Sequence, residues 1–130
     1  MNIGAVARET GITAKTIRYY ESIGLTPLPD RQANGYRAYE PNDVATLRFV
    51  QRARGLGFSI EEVRALITLW RDQSRASADV KQLALDHINQ IEGRIAELQA
   101  MKRTLEDLTQ RCHGDDRPDC PILDDLAKLR

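Results

Sequence analysis

Apolar and polar positions recur at helical spacing at the start of the chain and predict two short helices there. The first helix covers residues 3–9, and Gly11 is placed to end it. Thr13 then caps a second helix over residues 14–22, whose inward face contains Ile17. Two short helices joined by a glycine-containing turn are typical of a helix-turn-helix.

The outward face of the second helix is basic and rich in hydrogen-bonding groups. In a helix-turn-helix this helix lies in the major groove of DNA, where Arg and Lys also neutralise phosphates. The predicted DNA contacts on it are Lys15, Thr16, Arg18, Tyr19 and Tyr20, of which Tyr20 also falls on the inward face. The alternative is a small helical hairpin with a solvated basic face.

Residues 24–39 predict a β-hairpin wing beside this helix. Asn34-Gly35 is a strong tight-turn signal between extended arms. Arginines in such a wing can reach phosphates, and a tyrosine hydroxyl can donate a hydrogen bond to one. The predicted DNA contacts of the wing are Arg31, Asn34, Gly35, Tyr36 and Arg37. For Tyr39, a DNA contact and packing against the domain are equally good expectations.

Two further helices complete a first domain, predicted over residues 1–71. Pro41 suits the first position of a helix that continues to Gly55, and Ser59 opens a capping box, Ser-Ile-Glu-Glu, at the start of the next helix. Apolar residues at helical spacing on both helices are expected to form core. We therefore expect Trp70 to pack and assign it no cofactor role.

A long amphipathic helix is predicted over residues 79–111, after a hinge at residues 72–78 in which Ser77 is expected to cap the helix. Its apolar residues recur every three or four positions and form one narrow seam, which suits a coiled coil more than a helix buried in a core. The seam consists of Ile88, Ile91, Ile95, Leu98, Met101, Leu105 and Leu108.

A lone helix of this length, roughly 50 Å at 1.5 Å per residue, needs a partner. The simplest partner is the same helix of a second copy, because helix-turn-helix proteins bind DNA as twofold dimers. The alternative is that the helix folds back on its own domain. The pattern thus predicts a mainly α chain: a winged helix-turn-helix domain, a dimerisation helix, and a C-terminal segment over residues 112–130.

Composition and charge add limits to this picture. Residues 1–71 contain 10 Lys and Arg against 7 Asp and Glu, whereas the remainder contains 9 against 12, which is a weak sign of nucleic-acid binding. No signal peptide and no apolar run of membrane-spanning length is visible, so we expect a cytoplasmic protein without a membrane partner. No catalytic triad, phosphate loop or paired carboxylate cleft indicates an enzyme.

The two cysteines of the chain, Cys112 and Cys120, bound the loop Cys-His-Gly-Asp-Asp-Arg-Pro-Asp-Cys. They could form a disulfide, bind a metal or do neither; a reducing cytosol disfavours the disulfide. Two thiolates without a third strong ligand favour the soft monovalent ions Cu(I), Ag(I) and Au(I) over zinc, which prefers four ligands. Cysteine count and charge by themselves leave copper and mercury open.

Other residues near the cysteines are weaker candidates. His113 adjoins Cys112, but adjacent residues seldom converge on one small ion, so we expect it to face solvent or to act outside the ligand set. His87, in the middle of the long helix, is expected on the dimer surface. Oxygen ligands suit Mg or Ca, so the loop carboxylates are expected to form a solvated rim. These are Asp115, Asp116 and Asp119.

The sequence resembles the MerR family of bacterial transcription regulators over nearly its whole length. The resemblance rests on MNIGAVARETGITAKTIRYYESIGL for the helix-turn-helix, RQANGYRAY for the wing, RARGLGFSIEEVR for the second helix pair, and the long helix that follows. Within the family, CHGDDRPDCPI together with SADVK at residues 77–81 is similar to the copper-efflux regulators.

This resemblance implies a homodimer with an antiparallel coiled coil, bound between the two promoter elements of a copper-export or copper-oxidase gene. Cys112 and Cys120 would hold Cu(I), with Ag(I) and Au(I) as related ions. The metal-bound form would bend and untwist the DNA so that RNA polymerase holoenzyme engages both elements. Metal thereby shifts which protein conformation, and hence which DNA shape, is favoured.

The resemblance also implies a role for Ser77 in metal selectivity. Family members that sense divalent ions place a cysteine there, which reaches the loop of the other protomer. A short terminal helix after Cys120, with Ile122, Leu123 and Leu126 available to pack, is expected to carry the signal away from the site. The alternative function is a thiol redox sensor on the same fold, responding to oxidant without metal.

Overall fold

The computed structural model describes residues 1–29 and 38–128. The described residues form six helices and no strand, which confirms the mainly α fold. The helices are α1 (Ile3–Thr10), α2 (Ala14–Ser22), α3 (Pro41–Gly55), α4 (Ile60–Arg71), α5 (Ser77–Arg111) and α6 (Pro121–Leu126). They belong to two compact units, Met1–Val80 and Lys81–Arg130. The predicted wing contacts Arg31, Asn34, Gly35, Tyr36 and Arg37 lie outside the described residues.

Local caps delimit the helix-turn-helix. Gly11 ends α1 with a φ of 77°, a left-handed conformation that glycine adopts without strain. The Thr13 side chain accepts a hydrogen bond from the backbone N–H of Thr16 at 3.2 Å and so starts α2. Val6 on α1 and Ile17 on α2 have no exposed surface, so they hold the two helices against the core.

Capping boxes open the next two helices. The backbone N–H of Glu40 donates to the Asp43 carboxylate at 2.8 Å, immediately before Pro41 at the start of α3. At α4 the exchange is reciprocal: the N–H of Ser59 donates to Glu62 at 2.8 Å, and the N–H of Glu62 donates to the Ser59 hydroxyl at 3.1 Å. Both predicted helix starts are confirmed.

The core of the first unit consists of two clusters that share α3. One cluster contains Val6, Ile12, Ile17, Tyr39, Val44 and Leu47. The other contains Leu25, Val50, Ala53 and Val63. The half-buried Tyr20 packs against both clusters, so its ring links α2 to the two halves of the core.

Tyr39 resolves one of the open alternatives in favour of packing. Its ring is buried in the first cluster, and its hydroxyl donates to Oε2 of Glu21 at 3.0 Å. Glu21 is itself buried on α2. A phenol occupied in this way satisfies a buried carboxylate and is not presented to DNA.

Trp70 is half-buried at the surface of the first unit. Its ring stacks on Phe49 with centroids 4.4 Å apart, and the guanidinium of Arg71 lies 4.2 Å from the ring centroid. Arg71 also donates to the side chains of Asn42 at 2.9 Å and of Thr46. These contacts join the end of α4 to the start of α3.

The long helix begins earlier than the sequence pattern indicates. Ser77 is the first residue of α5 and not its cap, so that prediction is wrong. The Arg75 guanidinium donates to the carbonyls of Trp70 and Asp72 at 3.1 Å each, closing the end of α4. The carbonyl of Ala76 then accepts the N–H of Asp79 at 3.1 Å and starts the new helix. None of the described helices combines the length and apolar character needed to cross a membrane.

Candidate metal-binding loop and DNA-binding helix

The cysteine-containing loop joins two helices of the second unit. Cys112 directly follows the last residue of α5, and its N–H donates to the carbonyl of Thr109 at 3.3 Å. Cys120 is the N-cap residue of α6 and directly precedes Pro121. Gly114, with a φ of 63°, supplies a left-handed residue between them. Both cysteines are therefore anchored by helix ends.

The two thiols lie at the two ends of this loop. Both are half-buried and neither is in a disulfide. The pKa of Cys120 is lowered, chiefly by the backbone N–H of Leu123 and also by that of Ile122 and by a hydrogen bond from the Cys112 thiol; partial burial and the Asp124 carboxylate act in the opposite direction. The lowered pKa of Cys120 favours its thiolate, which is the form that binds a soft metal ion.

We expect Cys120 to be alkylated at lower pH than a cysteine in the unfolded chain. A lowered pKa means that the thiolate, the reactive form, persists as the pH falls. The measurement is the iodoacetamide rate of each cysteine over a pH series, followed by peptide mass spectrometry, with urea-unfolded protein as reference. In Cys112→Ala most of the lowering of the Cys120 pKa should remain, because the hydrogen bond from the backbone N–H of Leu123 contributes more to it than the Cys112 thiol does. Identical profiles in folded and unfolded protein would contradict this.

Two polar side chains of the loop, Asp115 and Arg117, interact with each other. Asp115 accepts hydrogen bonds from the backbone N–H and from Nε of Arg117, both at 2.9 Å, and the Arg117 side chain holds the pKa of Asp115 below its usual range. A cavity of about 290 Å³ adjoins the loop. It is lined by Arg111, His113, Asp115, Arg117, Asp119 and Pro121.

No group of three or more His, Cys, Asp or Glu side chains within residues 1–29 and 38–128 has metal-site geometry. His113, Asp116 and Asp119 are exposed. The donor set that the described chain offers for a soft ion is therefore the sulfur pair of Cys112 and Cys120, and such a pair suits low coordination numbers.

The outward face of α2 is available to a ligand. Lys15, Arg18 and Tyr19 are exposed, because Ile17 points into the core from the opposite side of the helix. The hydroxyl of Thr16 accepts a hydrogen bond from that of Thr13 at 2.9 Å, so its first role is at the helix cap. Tyr20 packs on the core, and only part of its surface remains for DNA.

The apolar seam of α5 is exposed in the single chain, with one exception. Six of its seven predicted residues are between 42% and 53% exposed. Leu108 is only 2% exposed, so the chain itself already covers it at the end of α5 that leads into the cysteine-containing loop. Its assignment to the dimer seam is corrected: it belongs to the core of its own chain.

Two further residues of α5 differ from expectation. His87 is 7% exposed and buried within the chain, so its predicted place on the dimer surface is wrong. Leu85 is 44% exposed and extends the seam by one turn, which sequence reasoning missed. The spacing could have indicated this, because Leu85 precedes Ile88 by three residues and so lies on the same face of the helix.

Comparisons with known proteins agree with this architecture. Residues 1–69 match the MerR HTH family regulatory protein description, and residues 44–108 match the MerR DNA-binding description. The chain is 56% identical over 128 residues to the HTH-type transcriptional regulator HmrR of Sinorhizobium medicae (strain WSM419), which covers 98% of this chain and 87% of that protein. It is 46% identical over 127 residues to the HTH-type transcriptional regulator CueR of Salmonella typhimurium (strain LT2), covering 98% and 92%.

A solved structure shows the same fold over the same extent. The transcription regulator PbrR691 from Ralstonia metallidurans CH34, in complex with lead(II), superimposes with a TM-score of 0.85 at 32% identity, covering 98% of this chain and 99% of that one. Proteins of this family are transcription regulators that bind promoter DNA as dimers and are not enzymes. The chain belongs to the MerR family, as a metal-responsive helix-turn-helix transcription regulator.

Proposed function

We propose that this chain is a Cu(I)-responsive transcription activator that binds promoter DNA as a homodimer. The observation that carries the proposal is the placement of two half-buried free cysteines at the two ends of one loop, with Cys112 directly after α5 and Cys120 at the N-cap of α6. The metal would be held by these two residues, and it would supply a soft Lewis acid that ties the end of α5 to the start of α6.

The donor set supports Cu(I), with Ag(I) and Au(I) as related ions. Zinc prefers four ligands, and the described residues contain no group of three or more candidate ligands. Two thiolates leave a net charge of about −1 around a monovalent ion and zero around a divalent one, so charge as well as softness separates the two classes. The identity to HmrR and CueR favours a heavy-metal signal.

On DNA, the dimer would place α2 of each protomer in the major groove of one half-site. We infer that the metal-bound form bends and untwists a promoter whose two elements are too far apart for RNA polymerase holoenzyme. Metal acts by favouring one protein conformation, and the free energy of that preference offsets the cost of deforming the DNA.

The test is a reporter assay combined with DNA footprinting in which Cu(I), Ag(I), Zn(II), Hg(II) and peroxide are compared. Activation by Cu(I) and Ag(I), with a metal-dependent change in the footprint between the promoter elements, is the expected result. Activation by peroxide without metal would support the thiol redox sensor instead. Activation by Hg(II) or Zn(II) alone would reject the monovalent assignment.

Replacing Ser77 with cysteine should weaken the preference for monovalent ions. Ser77 is exposed at the first position of α5, and a thiol there would offer a divalent ion the additional ligand that serine does not. Zinc induction should rise relative to copper induction in a reporter strain, whereas Ser77→Ala, the matched control, should behave as wild type. Unchanged zinc and copper induction in Ser77→Cys would remove Ser77 from the selectivity mechanism.

Deleting the residues after Cys120 should leave DNA binding intact and remove metal-driven activation. Leu123 and Leu126 on α6 are 63% and 71% exposed, so this helix has apolar surface free to brace the dimer against a DNA-binding domain of the partner protomer. Footprinting and the reporter assay separate the two activities. The pair Leu123→Ser and Leu126→Ser tests the same surface without shortening the chain, and intact activation in both variants would exclude α6 from the mechanism.

A further inference from the structure

The C-terminal end of α2 lacks a compensating charge of its own. The last turn of the helix contains no basic residue, although a helix C-terminus has a partial negative charge. Ile23 ends the helix, and Gly24 follows it with a φ of 71°. The N–H groups of Gly24 and Leu25 satisfy the carbonyls of Glu21 and Tyr20, and the carbonyls of Ile23 and Gly24 beyond them take a partner from another helix.

Arg64 of α4 supplies that partner from 40 residues away in the sequence. One terminal nitrogen of its guanidinium donates to the carbonyl of Gly24 and the other to the carbonyl of Ile23, both at 3.0 Å. The planar guanidinium thus spans two successive carbonyls at once, an arrangement that its fixed fork of donors allows and a single ammonium does not.

Packing holds both ends of this contact. Val63, next to Arg64, has no exposed surface and lies in the second core cluster, against which Ile23 also packs. The Arg64 side chain is 38% exposed, and its Nε lies 3.6 Å from a carboxylate oxygen of Glu61, whose side chain is 81% exposed. An ion pair so open to water contributes little, so the fork to the two carbonyls is the main interaction.

We propose that Arg64 is a positioning residue for DNA recognition: it sets the orientation of α2 by holding its C-terminal end, without touching DNA. The inference rests on the proposed placement of α2 in the major groove and not on the metal. Thr13 caps the helix at its start, and Arg64 fixes the opposite end. Side chains that contact base edges must be held within about 0.5 Å of their binding geometry, and contacts that fix the two ends of the helix provide this.

The experiment compares metal-free wild type with Arg64→Lys and Arg64→Gln at a temperature where circular dichroism shows all three folded. The probe is a fluorescent duplex recovered by in vitro selection on wild-type protein. Losing the fork should weaken binding by about tenfold, the equivalent of one or two hydrogen bonds. Lysine keeps the charge but not the fork, so Arg64→Lys should lose affinity as well.

Two readouts separate positioning from other roles. The slope of log affinity against log salt should stay as in wild type, whereas a lost phosphate contact lowers its magnitude by about 0.9 per phosphate. Hydrogen exchange should accelerate at the amides of Ile23, Gly24 and Leu25, which close the end of α2, and not at Val50 in the core. Unchanged affinity in both variants, or a reduced salt slope, would overturn the proposal.

Three further variants test separately the hydrogen bonds of Arg64 and the proposed DNA-binding face of α2. Glu61→Gln removes the exposed ion pair and keeps the fork, so it should bind as wild type; a loss as large as that of Arg64→Gln would reject the fork as the cause. Lys15→Ala and Arg18→Ala should lower both affinity and salt slope. If Lys15→Ala and Arg18→Ala change neither the affinity nor the salt slope, the proposed DNA face of α2 is wrong. If these two variants lower the affinity and the salt slope while the Arg64 variants bind normally, only the proposed role of Arg64 is wrong.

Discussion

Replacing either Cys112 or Cys120 with serine should abolish the proposed response to Cu(I) and leave DNA binding intact. Each cysteine supplies half of the sulfur donor set that the described chain offers, and a hydroxyl is a poor ligand for a soft ion. Affinity for Cu(I) should fall by more than about 100-fold, because even changes outside a ligand set commonly cost about 10- to 100-fold. Competition with a chromogenic Cu(I) chelator measures the affinity, and a reporter measures the response.

His113→Ala is the matched control for the cysteine variants. His113 is exposed beside Cys112, so it should keep both Cu(I) affinity and activation if it stands outside the ligand set. A copper response that persists in Cys112→Ser and Cys120→Ser would contradict the proposed metal site. A response lost in His113→Ala as fully as in the cysteine variants would instead make the site three-coordinate.

Introducing glutamate at Ile95 should separate the dimer and weaken DNA binding by more than about 100-fold. Ile95 is 48% exposed in the middle of the α5 seam, where a partner helix would cover it. Twofold symmetry places the substitution in the interface twice, and an unpaired buried charge is strongly destabilising, by about 3–5 kcal/mol. Analytical ultracentrifugation gives the oligomeric state, and anisotropy on duplex DNA gives the affinity.

Ala100→Glu provides the comparison for the seam. It adds the same charge to an exposed position of α5 that lies off the apolar stripe, so the protein should remain dimeric. A dimeric Ile95→Glu variant with wild-type DNA affinity would show that this seam is not the subunit interface.

Local sequence signals were sufficient wherever neighbouring residues decide the structure. The caps at Thr13 and Ser59 and the proline at position 41 each act within one helical turn, so the starts of α2, α3 and α4 could be predicted. Ser77 misled because serine favours an N-cap, whereas in the structure it is the first residue of α5, which begins earlier than predicted.

The helical pattern of the sequence did not predict which side chains of α5 are buried within the chain. Periodicity assigns a side chain to a stripe but does not reveal which stripe residues another part of the same chain covers. Leu108 and the exposed leucines of the same helix look alike in sequence, yet Leu108 is buried, and the polar His87 is buried as well. The candidate dimer seam therefore starts at Leu85 and ends before Leu108.

The amino-acid sequence by itself determined the helices, the caps at Thr13 and Ser59, the narrow apolar stripe of α5 and the two cysteines at the ends of one loop, because each depends on spacing within a few residues. Only the tertiary structure decided that Tyr39 packs against Glu21 and that Arg64 holds the end of α2. These contacts join residues between 18 and 41 positions apart, and their partners are chosen by how whole helices pack.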